Sequence, residues 1–130
     1  MSGSRIALDT NQAIAVLNDM GDAGNWVRTY QEVCLPLPVV GELHFGALNS
    51  RRAEENLRRA DALVARCEVL EPDVATAQTY ARIRLELKRK GRPILENDVW
   101  IAALCVQHDI PFATADAHFT EISALQVVSR

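Results

Sequence analysis

Four acidic residues occupy positions from which carboxylates could bind a metal ion. Asp9 follows the apolar stretch RIAL, and Asp116 ends the stretch PFATAD. Glu42 follows CLPLPVV, and Asp98 stands at the head of a long apolar segment. None has a lysine or arginine beside it in sequence. Converging carboxylates need a countercharge or have raised pKa values, and oxygen ligands suit the hard cations Mg²⁺ and Mn²⁺.

Each acid also has a purely structural interpretation. Asp98 with Asn97 could cap a helix, where an anion contributes about 0.3–1 kcal/mol. Asp9 and Asp116 could likewise cap the helices that follow them, and Glu42 could be an acid in the first turn of a helix. What favours a shared site is that all four are expected at one end of one sheet.

That expectation comes from short extended segments that alternate with helical patterns. The segments that we predict as strands are RIAL, CLPLPVV, EVLE, PFATAD and, at an edge of the sheet, LQVVS. The segments that we predict as helices are NQAIAVLN, GNWVRTYQ, GELHFGALN, 51–67, a helix opened by Pro72–Asp73 and stopped by Gly91, 98–107 and HFTEI. In the helix after Pro72–Asp73, the predicted buried stripe is Val74, Ala77, Ala81 and Leu85.

This alternation predicts an α/β fold, with a mostly parallel sheet between helices on both faces. In such sheets, binding sites form beyond the carboxyl ends of the strands. Asp9, Glu42, Asp98 and Asp116 are all expected at that edge.

The composition is that of one folded domain over residues 1–130, of which residues 1–4 are expected to be disordered or added for expression. The 130 residues are 48% hydrophobic and 24% charged, and no apolar run approaches the roughly 20 residues of a membrane span. The three cysteines are widely separated, which predicts reduced core thiols and a cytoplasmic protein. The net charge of −3 argues mildly against a nucleic-acid partner.

Four motifs together resemble the PIN-domain nucleases, and among them the VapC-type toxins of bacterial toxin–antitoxin pairs. The motifs are LDTN, VVGELHFGA, GRPILENDVWIAA and TADAHF, and they extend over nearly the whole chain. The resemblance implies a three-layer fold with a parallel, five-stranded sheet between helices. It also implies a homodimer and a small antitoxin protein that binds and blocks the site.

The same resemblance assigns roles to individual residues. It makes Asp9, Glu42, Asp98 and Asp116 the metal-binding and catalytic acids. It implies that four polar residues orient these carboxylates or the metal's water ligands: Thr10, Asn11, Asn97 and Thr114.

Three residues near these motifs receive separate expectations. We expect Glu96 to face solvent and His118 to have a structural role. Arg92 is a candidate RNA-binding residue because it leads directly toward Asp98. Other basic residues, at 51, 52, 58, 59 and 88–90, are expected to lie mainly on solvated helix faces, and Trp26 and Tyr30 are expected in the core rather than at an interface.

The resulting hypothesis is Mg²⁺-dependent hydrolysis of single-stranded or looped RNA, with Mn²⁺ as an alternative cofactor. A bound cation would reverse the local negative charge, so an acidic protein could still act on RNA. A PIN-like module that binds RNA or a partner without cutting is the alternative. A phosphatase of the haloacid dehalogenase type fits poorly, because that chemistry needs a second acid at the position of Asn11.

Overall fold

The computed structural model describes residues 4–130. In chain order its elements are β1 Arg5–Leu8, α1 Thr10–Leu17, α2 Ala23–Val27, β2 Glu32–Pro36, α3 Leu37–Leu48, α4 Ala53–Ala65, β3 Glu68–Leu70, α5 Val74–Lys90, α6 Glu96–Gln107, β4 Phe112–Ala113, a 3-10 helix Ala117–Glu121 and β5 Val127–Val128. No helix within these residues is both long and apolar enough to cross a bilayer.

The described residues include Ser4 but not residues 1–3. The expectation of disorder over residues 1–4 is therefore compared with the structure at Ser4 only. The Ser4 carbonyl accepts hydrogen bonds from the backbone N–H groups of Gln31 and Glu32, at 2.9 and 3.2 Å. These bonds fix the start of β1 beside the start of β2.

The five strands form one parallel sheet in the order β3-β2-β1-β4-β5. This confirms the predicted α/β class and places β5 at an edge, as expected. The first three strands are added in one direction and the last two in the other, so the order reverses at β1. Ligand sites in open parallel sheets form at such reversals, outside the carboxyl ends of the strands.

The core lies on the sheet and along α6. The side chains of Ile6, Leu8, Leu35 and Phe112 are fully buried in the sheet. Helix α6 buries consecutive residues from 101 to 105, because neighbours cover it on all sides. The cost of moving this helix is therefore high, and its first turn is held in a fixed place.

The cysteines and the aromatic pair agree with the sequence interpretation. All three cysteines are free thiols, with Cys34 and Cys105 buried and Cys67 half-buried. Burial raises the pKa of Cys34 and of Cys67 to about 11, which keeps them protonated at neutral pH. Trp26 and Tyr30 form an edge-to-face pair with centroids 5.2 Å apart and pack against the core.

The predicted strand CLPLPVV is too long. Strand β2 ends at Pro36, and α3 already begins at Leu37. Pro38 lies in the first turn of α3, where its missing N–H has no intrahelical partner to lose. The prediction treated both prolines as marks of extended chain, whereas the second one starts a helix.

The predicted buried stripe of α5 is also wrong. Val74 is 74% exposed and Leu85 is 45% exposed, whereas Thr76, Ile83 and Leu87 are buried. The other two residues of the predicted stripe, Ala77 and Ala81, are exposed as well.

A polar interaction sets the rotation of α5. The Asp73 carboxylate accepts from the backbone N–H of Thr76, and the Thr76 hydroxyl accepts from the backbone N–H of Asp73. The Thr76 hydroxyl also donates to the Gln107 side chain in α6. Because this buried threonine faces α6, the residues seven and eleven positions later face it too. At the other end, Gly91 has a φ of 64°, the left-handed conformation that stops the helix as predicted.

The rotation of α5 can be tested with two leucines on the same helix. Leu87→Ala should reduce the free energy of unfolding by about 2–5 kcal/mol, since it leaves a cavity beneath the helix. Leu85→Ala is the matched control and should cost less than about 1 kcal/mol. Denaturant unfolding followed by circular dichroism measures both, and equal costs would contradict this orientation of α5.

Candidate metal centre

Asp9 and Asp116 are positioned by the ends of neighbouring strands. Asp9 follows β1, and its Oδ1 accepts from the backbone N–H of Gln12 at 2.7 Å. Asp116 follows β4, and its Oδ1 accepts from the backbone N–H of His118 at 2.9 Å. Both residues therefore cap the helices that follow them, and both also lie at the carboxyl edge of the sheet.

Thr114 connects these two acids. Its side chain is buried, and its hydroxyl donates to Asp9 Oδ2 at 2.5 Å. The same hydroxyl oxygen accepts from the backbone N–H of Asp116 at 3.1 Å. One buried hydroxyl thus fixes the orientation of the Asp9 carboxylate and the position of the Asp116 backbone.

Asp98 does not cap its helix. The residue at the cap position of α6 is Leu95, which makes no capping hydrogen bond through its side chain. Glu96, Asn97 and Asp98 are the first three residues of α6, so the structural interpretation of Asn97 and Asp98 as caps is wrong. Asp98 is half-buried and is held toward the site by the buried helix behind it.

The other acids act on Asp98 electrostatically. Burial is the largest cause that raises the pKa of Asp98, followed by the negative charges of Glu42, Asp116 and Asp9. His118 acts in the opposite direction, and no lysine or arginine is among the causes. The structure therefore brings all four predicted acids into one electrostatic environment.

Glu42 lies farther along its helix than predicted. It is the sixth residue of α3 and so lies beyond the first turn, because α3 begins at Leu37. The Thr10 hydroxyl at the start of α1 donates to Glu42 Oε1 at 2.5 Å. This contact joins α1 to α3 beside the four acids.

The remaining predicted site residues make no such contact. Asn11 and Asn97 are exposed, and within residues 4–130 neither side chain forms a hydrogen bond with any of the four acids. Arg92 is exposed and forms no side-chain ion pair within the same residues. Glu96 faces solvent as expected, with its carboxylate 3.7 Å from Arg84.

His118 lies closer to the candidate metal site than its expected structural role suggested. Its Nδ1 is 2.9 Å from Asp116 Oδ1, and its side chain is exposed. An open pocket of about 460 Å³ has Asp98, Asp116 and His118 in its wall, next to the loop 93–95. The sequence signal for this placement was the two-residue spacing from Asp116, which lets the imidazole reach the carboxylate of its own helix cap.

The residues fit a hard divalent cation. Their donors are carboxylate and hydroxyl oxygens, with no thiol among them, and within residues 4–130 no lysine or arginine forms an ion pair with any of the four acids. Within the described residues, no three of the four carboxylates have oxygens that all lie within 4.8 Å of one another. The four carboxylates are therefore spread more widely than a compact cage, and Mg²⁺ bound among them would keep several water ligands.

A second acidic group lies at the opposite edge of the sheet. Ligand atoms of Glu32, Cys34 and Glu68, on β2 and β3, lie within 4.8 Å of one another. Arg5 on β1 already occupies this group, with Nε 2.8 Å from Glu32 and Nη2 3.0 Å from Glu68. Both groups are acidic enough to attract a divalent ion, but within residues 4–130 the group at the carboxyl edge has no lysine or arginine bound to it, and its one basic contact is the His118 imidazole beside Asp116.

Comparison with known proteins identifies the fold family. Residues 6–125 match the model of the PIN domain, which is nearly the whole chain. The chain belongs to the PIN-domain family. This confirms the resemblance on which the site assignment was based.

Relatives within the PIN-domain family are VapC proteins. The chain is 38% identical over 71 residues to the tRNA(fMet)-specific endonuclease VapC of Shigella flexneri, a match that spans 55% of this chain and about half, 54%, of that relative. It is 32% identical over 92 residues to ribonuclease VapC5 of Mycobacterium tuberculosis, covering 69% and 68% of the two chains. The crystal structure of DNA-bound VapBC from Salmonella typhimurium superposes with a TM-score of 0.88 at 26% identity, over 98% of each chain.

The repulsion at Asp98 gives a stability prediction for the metal-free protein. The folded pKa of Asp98 is raised, so ionisation of Asp98 destabilises the fold above that pKa, and this penalty disappears as the pH falls below the unfolded value. In EDTA at neutral pH, Asp98→Asn should therefore melt at a higher temperature than the wild type. The difference should shrink as the pH is lowered through the folded pKa.

Added Mg²⁺ should reverse this order. A ligand at a hundred times its dissociation constant stabilises the native state by about 2.7 kcal/mol, which the variant would lack. Thermal unfolding with and without Mg²⁺ measures both effects. A variant that melts below the wild type in EDTA would show that Asp98 has a favourable partner within the fold.

Proposed function

We propose that this protein is a metal-dependent endoribonuclease, the toxin component of a VapBC-type toxin–antitoxin pair. The observation that carries the proposal is that Glu42, Asp116 and Asp9 all act electrostatically on Asp98, with no lysine or arginine among the groups that do so. In a PIN-domain chain whose relatives are ribonucleases, this arrangement supports binding of Mg²⁺, or of Mn²⁺ in its place.

The four acids would hold the cation, and the residues around them would fix their geometry. When bound, the cation would lower the pKa of a water ligand and stabilise charge on the scissile phosphate. Thr114 holds Asp9, and Thr10 holds Glu42, so these carboxylates lose little conformational freedom on binding. The proposed role of Asn11 and Asn97 is to orient the metal's water ligands.

His118 and Arg92 complete the proposed arrangement. The imidazole beside Asp116 is exposed and lies where substrate would enter the pocket. Arg92 lies in the loop between α5 and α6, close in sequence to the same pocket, and could contact the RNA backbone. We propose RNA as the substrate and the cytoplasm as the location.

The antitoxin is the proposed protein partner. VapBC complexes are the structural neighbours of this chain. Phe45 and Leu48 on α3 are 69% and 63% exposed, and Ile14 on α1 is 37% exposed. Ile14 lines a pocket together with Glu42, and Phe45 lies three residues after Glu42 on α3. These exposed side chains offer an apolar surface for a second protein. We also propose that the toxin forms a homodimer.

The proposed activity is tested by incubating cellular RNA with the purified protein and Mg²⁺ or Mn²⁺. We expect discrete RNA fragments that disappear in EDTA. Asp98→Asn should reduce the cleavage rate by about 10²-fold or more, as for loss of a group that stabilises a transition state. Gel electrophoresis of end-labelled RNA measures the rate.

Asp109→Asn is the matched control for this experiment. Asp109 lies just beyond the other end of α6, is exposed and has a φ of 54°, which asparagine also tolerates. The Asp109→Asn variant should cleave RNA at the same rate as the wild type. Equal loss in both variants would contradict the assignment of the site, and RNA binding with no cleavage under any condition would favour the non-catalytic binding module.

The role of Thr114 is tested by Thr114→Val, which keeps the side-chain volume and removes the hydroxyl. We expect a 10- to 100-fold loss of metal affinity or activity, since the valine leaves the Asp9 carboxylate without its hydrogen bond. Thr79→Val is the control, because the Thr79 hydroxyl bonds only to the Ala75 carbonyl of its own helix. Metal titration of the cleavage rate measures the change, and a Thr114→Val enzyme as active as Thr79→Val would exclude the positioning role.

A further inference from the structure

A second pocket adjoins the proposed metal site. It has a volume of about 380 Å³, within the range of roughly 300–1,000 Å³ typical of small-ligand pockets. Pro93 and Ile94 line both this pocket and the one that contains Asp98 and Asp116. Glu96 in its wall lies two residues before Asp98 on α6. The two pockets are therefore adjacent, and we call the second one, lined by Arg84, Lys88, Ile94 and Val99 among others, the α5–α6 groove.

The α5–α6 groove carries an unpaired positive charge. Arg84 and Lys88, one turn apart on α5, line it. Arg84 is held by the Tyr80 hydroxyl at 2.9 Å and lies 3.7 Å from the Glu96 carboxylate, so its charge is partly neutralised. Lys88 is exposed and forms no ion pair or side-chain hydrogen bond within residues 4–130.

Lys90, a nearby basic residue on the same helix, has partners of the kind that Lys88 lacks within the described residues. Lys90 lies 3.1 Å from Glu86 and donates to the carbonyl of Glu121 at 2.5 Å, so it is used in the fold. Lys88 is left available for a ligand with negative charge.

The floor of the α5–α6 groove is apolar and rigid. Leu87 and Val99 are 2% and 4% exposed and belong to the core cluster, and Ile94 packs against that cluster. A groove with an apolar floor and a cation on one wall matches a nucleotide, which has a flat, weakly polar nucleobase and a charged phosphate.

We propose that the α5–α6 groove binds the nucleotide next to the scissile phosphate. Lys88 contacts the backbone phosphate, and the nucleobase packs against Ile94. This inference rests on the proposed ribonuclease function and assigns a binding site for its substrate. The groove supplies positive charge beside an acidic site in a chain whose net charge is −3.

The test compares Lys88→Gln with Arg82→Gln. Arg82 is on the same helix, is exposed and forms no ion pair within the described residues, but does not line the groove. Both substitutions remove one positive charge, so bulk electrostatics change equally. Each is made in an Asp98→Asn background, which prevents consumption of the probe, a short fluorescein-labelled single-stranded RNA of mixed sequence.

Fluorescence anisotropy over a range of salt concentrations measures binding. Lys88→Gln should weaken binding roughly three- to tenfold, as expected for loss of one charge-assisted contact at a partly exposed site. The slope of log K against log salt should fall by about 0.7, the value for one phosphate contact to a single strand. Arg82→Gln should leave the slope unchanged.

Cleavage kinetics in the chain with Asp98 intact separate this inference from the proposed function. Lys88→Gln should raise KM with little change in kcat, because a phosphate contact present before and during the reaction contributes uniform binding. Cleavage by the wild type together with an unchanged KM and salt slope in Lys88→Gln would overturn the groove assignment and leave the nuclease function intact. A wild-type chain that neither binds nor cuts RNA would overturn both.

Discussion

Four carboxylates that repel one another are held at one edge of the sheet, and the surrounding structure is arranged to keep them there. Asp98 experiences this repulsion most directly, through burial and the charges of the other three acids. It stays in place because α6 is enclosed by the core. Asp9 and Asp116 stay because strand ends, helix caps and one threonine hydroxyl fix them. Such an arrangement costs stability unless a cation binds, which is typical of functional sites.

The two ends of the same sheet treat acidic residues differently. At the amino edge, Arg5 forms ion pairs with Glu32 and Glu68, which lie on separate strands. The pKa of Glu32 is lowered there, through its interactions with the neighbouring Glu68 and with the Arg5 guanidinium. At the carboxyl edge, no arginine or lysine among residues 4–130 forms an ion pair with the four acids. Proximity of acidic ligand atoms alone would select the amino edge as a metal site, but its countercharge is already part of the fold.

Much of this organisation could be predicted from the sequence, because alternating strands and helices determine which edge of a parallel sheet receives Asp9 and Asp116. The errors arose where a local signal had two interpretations. Pro38 was read as extended chain, although a proline also fits the first turn of a helix. The apolar residues of α5 suggested a stripe at Val74 and Leu85, whereas the buried face was set by Thr76 and its hydrogen bonds. Contacts between distant elements, such as Thr10 with Glu42, leave no periodic pattern in the sequence.

The central claim is that a divalent cation binds at the carboxyl edge and not beside Arg5. Mn²⁺ titration followed by electron paramagnetic resonance tests it directly, with the wild type, Asp98→Asn and Glu68→Gln compared at the same protein concentration. The account predicts that Asp98→Asn loses most Mn²⁺ binding and that Glu68→Gln retains it. Loss of binding in Glu68→Gln with retention in Asp98→Asn would place the cation at the opposite edge and contradict the account.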